Sequence, residues 1–228
     1  MTALLWKDFR LNLPIAVASA VVWAIIHAFL ILTMLFFREG GDPPAYIWGE
    51  ALTTTNTISL AFSQLLVGAL GANAIACERA DRSAEFLFAL PPTRVWILMS
   101  KLILALALAL GVWGAHLFML EVIVPVFGIL PATGNPRLAG FYPMMLASSI
   151  CLFGGSWLGS SLLKSAAYAL LIGVALTGAA GGAISSIQVR LKLADTPALE
   201  HTYQVTFLVL GIAAFAAGTI HFLRRVEP

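Results

Sequence analysis

Apolar residues in this chain come in long unbroken runs, not in the short alternations of a water-soluble fold. Six runs stand out: Ile15–Phe37, Ala51–Cys77, Val95–Phe127, Tyr142–Leu163, Ala166–Ile187 and Tyr203–Leu223. A helix needs about 20 apolar residues to cross roughly 30 Å of hydrocarbon. Each run meets that length, so the pattern predicts an all-α, polytopic membrane protein, one transmembrane domain over residues 1–228. The third run is long enough to tilt or to project beyond the bilayer. Only Lys164-Ser165 divides the fourth run from the fifth, which predicts a tight antiparallel hairpin. The first run exceeds the roughly 7–15 apolar residues of a cleaved signal peptide, so it is expected to be a retained span.

The polar residues between the runs set an orientation. An even number of spans puts both ends of the chain on one side. That side collects Lys7, Arg10, Arg79, Arg82, Arg94, Lys101, Lys164, Arg224 and Arg225, against Arg38, Arg137, Arg190 and Lys192 on the other. Basic residues near span ends are held on the cytoplasmic face. Both ends and the loop after the second span are therefore expected inside, in a cell (inner) membrane. Composition agrees with lipid as the solvent: 60% of residues are hydrophobic and 11% charged, where a soluble domain carries about a quarter charged. The two cysteines, Cys77 and Cys151, lack the spacing of a disulfide framework or a metal knuckle.

Against this background the segment Glu78–Arg94, ERADRSAEFLFALPPTR, is unusually charged. On a helix, Glu78, Asp81, Arg82 and Glu85 fall on one arc, with Ala80, Ala84, Leu87 and Leu90 opposite and Phe86 and Phe88 flanking them. Pro91-Pro92 would stop that helix, since proline lacks the donor N–H and clashes with the preceding turn. The prediction is a short amphipathic helix on the cytoplasmic membrane surface with its charges outward. Positive-inside topology accounts for the arginines but not for three acids, because acids contribute little to orientation. A mixed-sign face of this kind suits a protein partner. Residues 2–13 show a weaker version, with Leu5, Trp6, Phe9 and Leu13 sharing a face. They predict an interfacial helix, residues 2–13, feeding the first span.

The order of these parts resembles the permease subunits of ABC-2 type ABC transporters. Such subunits begin with a cytoplasmic amphipathic helix of the WKDFR sort and have six spans. After the second span they carry an acidic-basic cluster, Glu-hydrophobic-Leu, Leu-Pro and a basic residue, with a lysine opening the third span. Here those positions are Glu78-Arg79, Glu85-Phe86-Leu87, Leu90-Pro91, Arg94 and Lys101. Ser83-Ala84 departs from the glycine that many members place before the Glu-hydrophobic-Leu. The resemblance covers the chain in outline and is specific only in this loop. It implies that the loop is a coupling helix, with Glu78, Arg79, Asp81, Arg82, Glu85, Phe86 and Leu87 meeting a separate ABC ATPase subunit that binds the ATP. It also implies a second permease subunit, identical or related, and a re-entrant segment around Gly178–Ser186 or Gln188–His201.

Other chemistry is scarce. The second span carries Thr53, Asn56, Thr57, Ser63, Gln64 and Gly71 on one arc. These polar residues, with Glu121 near the end of the third span, are the candidates for lining a path, or equally for hydrogen bonding between helices. No Gly-x4-Gly-Lys-Ser/Thr loop exists to cradle a phosphate. Nor do the histidines have the i+3 or i+4 partner of a metal site. No catalytic residue, cofactor, metal or nucleic-acid partner is expected beyond membrane lipid and the protein subunits. Two rival classes are a non-transporting membrane anchor or regulator, and a rhomboid-like serine protease built on Ser156 and His221. The protease requires the base within hydrogen-bond reach of the serine, whereas Ser156 lies about 20 Å into its span and His221 several ångströms further. Gly155 and Gly159, flanking Ser156, instead suit a close helix crossing.

Overall fold

The structure is a computed structural model that describes residues 2–36, 44–80, 94–128, 136–191 and 197–224. Every element among them is helical. α1 runs Thr2–Phe36, α2 Pro44–Ala80, α3 Arg94–Phe118, α4 Pro136–Leu162, α5 Ala166–Leu191 and α6 Pro197–Arg224. α3 continues through a π turn at Met119–Ile123 and a 3-10 turn at Val124–Phe127. It ends where Gly128, at φ +78°, returns its N–H to the Pro125 carbonyl at 3.0 Å.

All six helices contain a stretch long and apolar enough to cross a membrane. Their outer faces carry large apolar side chains in the open, among them Val21, Ile25, Phe29, Leu106, Leu110 and Val209. So much exposed hydrocarbon is incompatible with water and suited to lipid, as expected of a multi-pass membrane protein.

α4 is the hub, packing most extensively on α6, α2 and α5, while α1 rests at the periphery on α2 and α3. The approach is close because small residues meet at the crossings. A Cβ at Gly155 would lie 2.9 Å from the Gly173 Cα, and one at Gly159 would lie 2.8 Å from the Ala169 Cα. The helix-crossing role expected of these glycines is therefore what the structure shows. α4 and α5 form the expected hairpin, joined by Leu163, Lys164 and Ser165 alone. Trp157 is fully buried where α4 meets α2, α3 and α6, against Ala74, Ile75, Ile97, Leu98 and Phe222.

Two expectations are corrected. The boundary expected between residues 2–13 and the first span is absent: α1 is continuous through Pro14. Polar contacts from Lys7, Asp8 and Asn12 to α2 and α3 hold the first turns in line with the span. Nor is there a re-entrant break at Gly178–Ser186, which lies within the unbroken α5. Breaking a helix in hydrocarbon strands backbone donors and acceptors, and an Ala/Gly-rich helix avoids that cost. Gln188–Leu191 end α5 and Pro197–His201 begin α6, and residues 192–196 lie outside the described set.

Candidate functional site

The end of α2 and the first turns of α3 frame the charged loop. Of the loop itself, Asp81, Arg82, Glu85, Phe86 and Leu87 lie outside the described residues, and Arg79 is described only as helical backbone. Glu78 is placed differently from the outward face expected of it. It belongs to α2, is only 5% exposed, and its Oε1 accepts from Lys7 Nζ and from Lys101 Nζ, each at 2.9 Å. Lys101 also reaches Asp8 Oδ1 at 3.2 Å, and Ser100 Oγ donates to Asp8 Oδ2 at 2.6 Å. A turn further in, Asn73 Nδ2 donates to Asn12 Oδ1 at 3.1 Å. Two bases and two acids thus form a neutral cluster that joins α1, α2 and α3 at one end of the bundle.

Burial decides what this cluster is worth. Exposed ion pairs contribute about 0–1 kcal/mol. Asp8 is 3% and Lys101 6% exposed, so removing one partner would strand a buried charge, a far larger cost. The physical reason Glu78 turns inward is that two ammonium groups from two other helices, those of Lys7 and Lys101, meet it. The first turns of α1 show the matching inversion. Asp8 points into the bundle, while Trp6, 60% exposed, lies outward with the Arg10 guanidinium 5.6 Å above its ring. An apolar-out, polar-in helix is the arrangement that lipid favours. Sequence reasoning missed this cluster, although one signal was available: Lys7, Asp8, Glu78 and Lys101 all sit where their spans reach the same side.

The polar stripe of α2 lies against its own chain. Asn56 is fully buried and its Nδ2 donates to the His116 carbonyl at 3.1 Å. The His116 ring Nδ1 lies 2.9 Å from the Val112 carbonyl, which assigns the proton to Nδ1. Nε2 faces Ser59 Oγ at 3.2 Å and Ser63 Oγ at 3.5 Å, hydroxyls that also donate to the Asn56 and Ser59 carbonyls. Gln64 is buried and its Oε1 accepts from Ser149 Oγ on α4. Thr53 and Thr57 are half-buried and return their hydroxyls to the carbonyls four residues earlier, each at 2.8 Å. At Gly71 a Cβ would come within 2.7 Å of the Phe153 carbonyl oxygen, so α4 packs on bare backbone there. The stripe therefore joins α2 to α3 and α4, and His116 is the residue in it that sequence reasoning did not place. Glu121 sits on the π turn at the far end of α3.

Two apolar cavities open between the helices. One of about 490 Å³ separates α3 from α4 and α6 and is lined by Trp113, Phe153 and Phe215; another of about 350 Å³ lies between α1 and α2, beside Trp23, Ser59 and Ser63. The protease arrangement is not formed. Ser156 Oγ is buried without a hydrogen-bond partner, so no base reaches it, and it packs where α5 passes at Gly173. Among the described residues, no three His, Cys, Asp or Glu side chains are grouped to hold a metal ion. No protein-family model, curated protein or solved structure matches this chain.

Proposed function

We propose that this chain is the permease subunit of an ABC-2 type transporter. It would form a translocation path, in the direction of export, with a second permease subunit, and be driven by a separate ATP-hydrolysing subunit docked on the 81–93 loop. The observation that carries this reading is the buried charge cluster. It fixes both flanks of the loop, Glu78 and Lys101, to each other and to α1. A connector between two spans has no need of such a frame, whereas a handle that takes load does: a push on the loop would be shared by three helices. The engagement of the α2 stripe within its own chain favours a path between subunits over one through a single subunit.

The docking test must spare the cluster, so it uses Arg82 and Glu85, not Glu78. Arg82→Glu/Glu85→Lys permease is expected to insert normally and to lose most co-purifying ATPase, because like charges juxtaposed at an interface cost several kcal/mol. Unchanged co-purification and ATP turnover would leave the loop a solvated connector and favour an anchor or regulatory role.

Orientation is tested separately. With Cys77 and Cys151 replaced by serine, single cysteines at positions 41, 135 and 195 are expected to react with a membrane-impermeant thiol reagent in intact cells. One at position 83 is expected to react only after lysis. Labelling at position 83 in intact cells would reverse the topology.

A further inference from the structure

The larger of the two cavities is a window in the side of the bundle. α3 packs on α1 and α2 but not extensively on α4 or α6. Its two ends nevertheless close on those helices through side chains. At one end Ile97 and Leu98 meet Trp157 and Phe222. At the other, Leu120 and Val124 of the π and 3-10 turns meet Tyr142. Between these two plugs lies an open space of about 490 Å³. Val67 of α2, 5% exposed, supplies its floor. Phe153 and Phe215, with ring centroids 6.2 Å apart, supply the wall across from Trp113 on α3.

Lining, mouth and width together specify an occupant. The lining is apolar except for the Trp113 indole and the Ser149 hydroxyl, and Ser149 is already engaged by Gln64 and by the Met145 carbonyl. Water needs about 2–4 polar partners in a buried site and does not find them here. The mouth is formed by Leu106, Leu110 and Ile212, each 60–62% exposed on the surface that faces lipid. With both ends plugged, entry is sideways from the hydrocarbon. Along α3 the space runs from Leu102 to Leu117, a rise of about 22 Å. A volume of about 490 Å³ over that length averages about 5 Å across. A helix of a second copy, about 10–12 Å in diameter with its side chains, does not enter. A single polymethylene chain does, since carbons pack at about 3.5–4 Å from their neighbours.

We propose that this window is a binding site for one acyl chain of a membrane phospholipid, seated between Trp113 on one side and Phe153 and Phe215 on the other. The chain supplies the contacts that α3 does not make with α4 and α6, and so couples the first three helices to the last three. The lining contains no charged side chain, so the site selects the chain and not the headgroup. It does not depend on the permease reading, and its test needs no ATPase.

Purified full-length chain in detergent is titrated with palmitoyl-oleoyl phosphatidylcholine and, separately, with the phosphatidylglycerol of the same chains, and read by native mass spectrometry. The wild type is expected to retain one lipid per chain, saturably and alike for the two headgroups. Ala109→Phe, which puts a ring into the lining, is expected to lower retention about tenfold or more. Ala107→Phe, on the exposed face outside the lining, is expected to leave it unchanged. The proposal is overturned if the wild type retains no lipid, or if Ala109→Phe retains as much as the wild type. It is equally overturned if the headgroup governs retention, which would place the lipid at a surface site, or if the chain is a lipid-free dimer. Should Ala109→Phe fail to fold, phosphatidylcholine with a diazirine on its acyl chain is photo-crosslinked to the wild type. Adducts are expected within Leu106–Trp113 and at Phe215, and adducts confined to outer faces such as Val21 and Phe29 overturn the site.

Discussion

Replacing Lys101 with methionine will destabilise the protein by about 3–5 kcal/mol, the usual cost of removing one member of a buried ion pair. Methionine keeps most of the stem volume, so packing changes little and the charge effect dominates. The change removes the Lys101 bonds to Glu78 and Asp8. Glu78 retains Lys7, whose side chain is 31% exposed, while Asp8 is left with the Ser100 hydroxyl. An almost fully buried carboxylate then has no counter-charge. A second variant separates charge from structure: Asp8→Asn/Glu78→Gln/Lys101→Met removes the whole buried set and should recover most of the loss. Thermal unfolding of the three purified proteins checks this. If Lys101→Met unfolds at the wild-type midpoint, the cluster carries no load. If the triple variant is no better than the single one, the loss is a packing effect.

Gly211→Leu is expected to abolish the folded monomer. At Gly211 even a Cβ would fall 2.6 Å from the Ile150 carbonyl oxygen and 2.7 Å from the Cys151 Cα, both backbone atoms of α4. A flexible side chain could move aside, but a helix backbone moves only as a body. α4 is in turn pinned on its other side, where Gly155 meets Gly173. The strain cannot spread, and overpacking in so confined a site exceeds the common 1–3 kcal/mol. Gly178→Leu serves as the control, because nothing lies within 4 Å of a Cβ there. Size-exclusion chromatography of both variants provides the comparison. A monodisperse Gly211→Leu peak at wild-type yield would show that α6 does not cross α4 as described.

The spans were legible because lipid imposes a single strong rule on long apolar runs. The α4–α5 hairpin followed from the two polar residues between them, and the crossing at Gly155 and Gly159 from their spacing. What failed had a common cause: it depended on distant parts of the chain. Glu78 reads locally as one charge on an amphipathic arc, and only its partners on other helices, Lys7 and Lys101, turn it inward. The amphipathic pattern of residues 2–13 was real, but its polar side faces helices, not water. The α2 stripe was visible as a stripe, whereas its partner His116 lies 60 residues beyond Asn56. No local pattern around a histidine in an apolar run announces such a bond.

The contacts divide the molecule in the order of its synthesis. α1 packs on α2 and α3, while α4 gathers α5 and α6 and meets the first half chiefly through α2. All four members of the charge cluster, Lys7, Asp8, Glu78 and Lys101, belong to the half that leaves the ribosome first. Its acids and bases can therefore neutralise one another while the later helices are still being translated. None of these four charges has to wait in the bilayer for a counterpart from the far end of the chain. A nascent chain built this way spends little time as a target for membrane quality control.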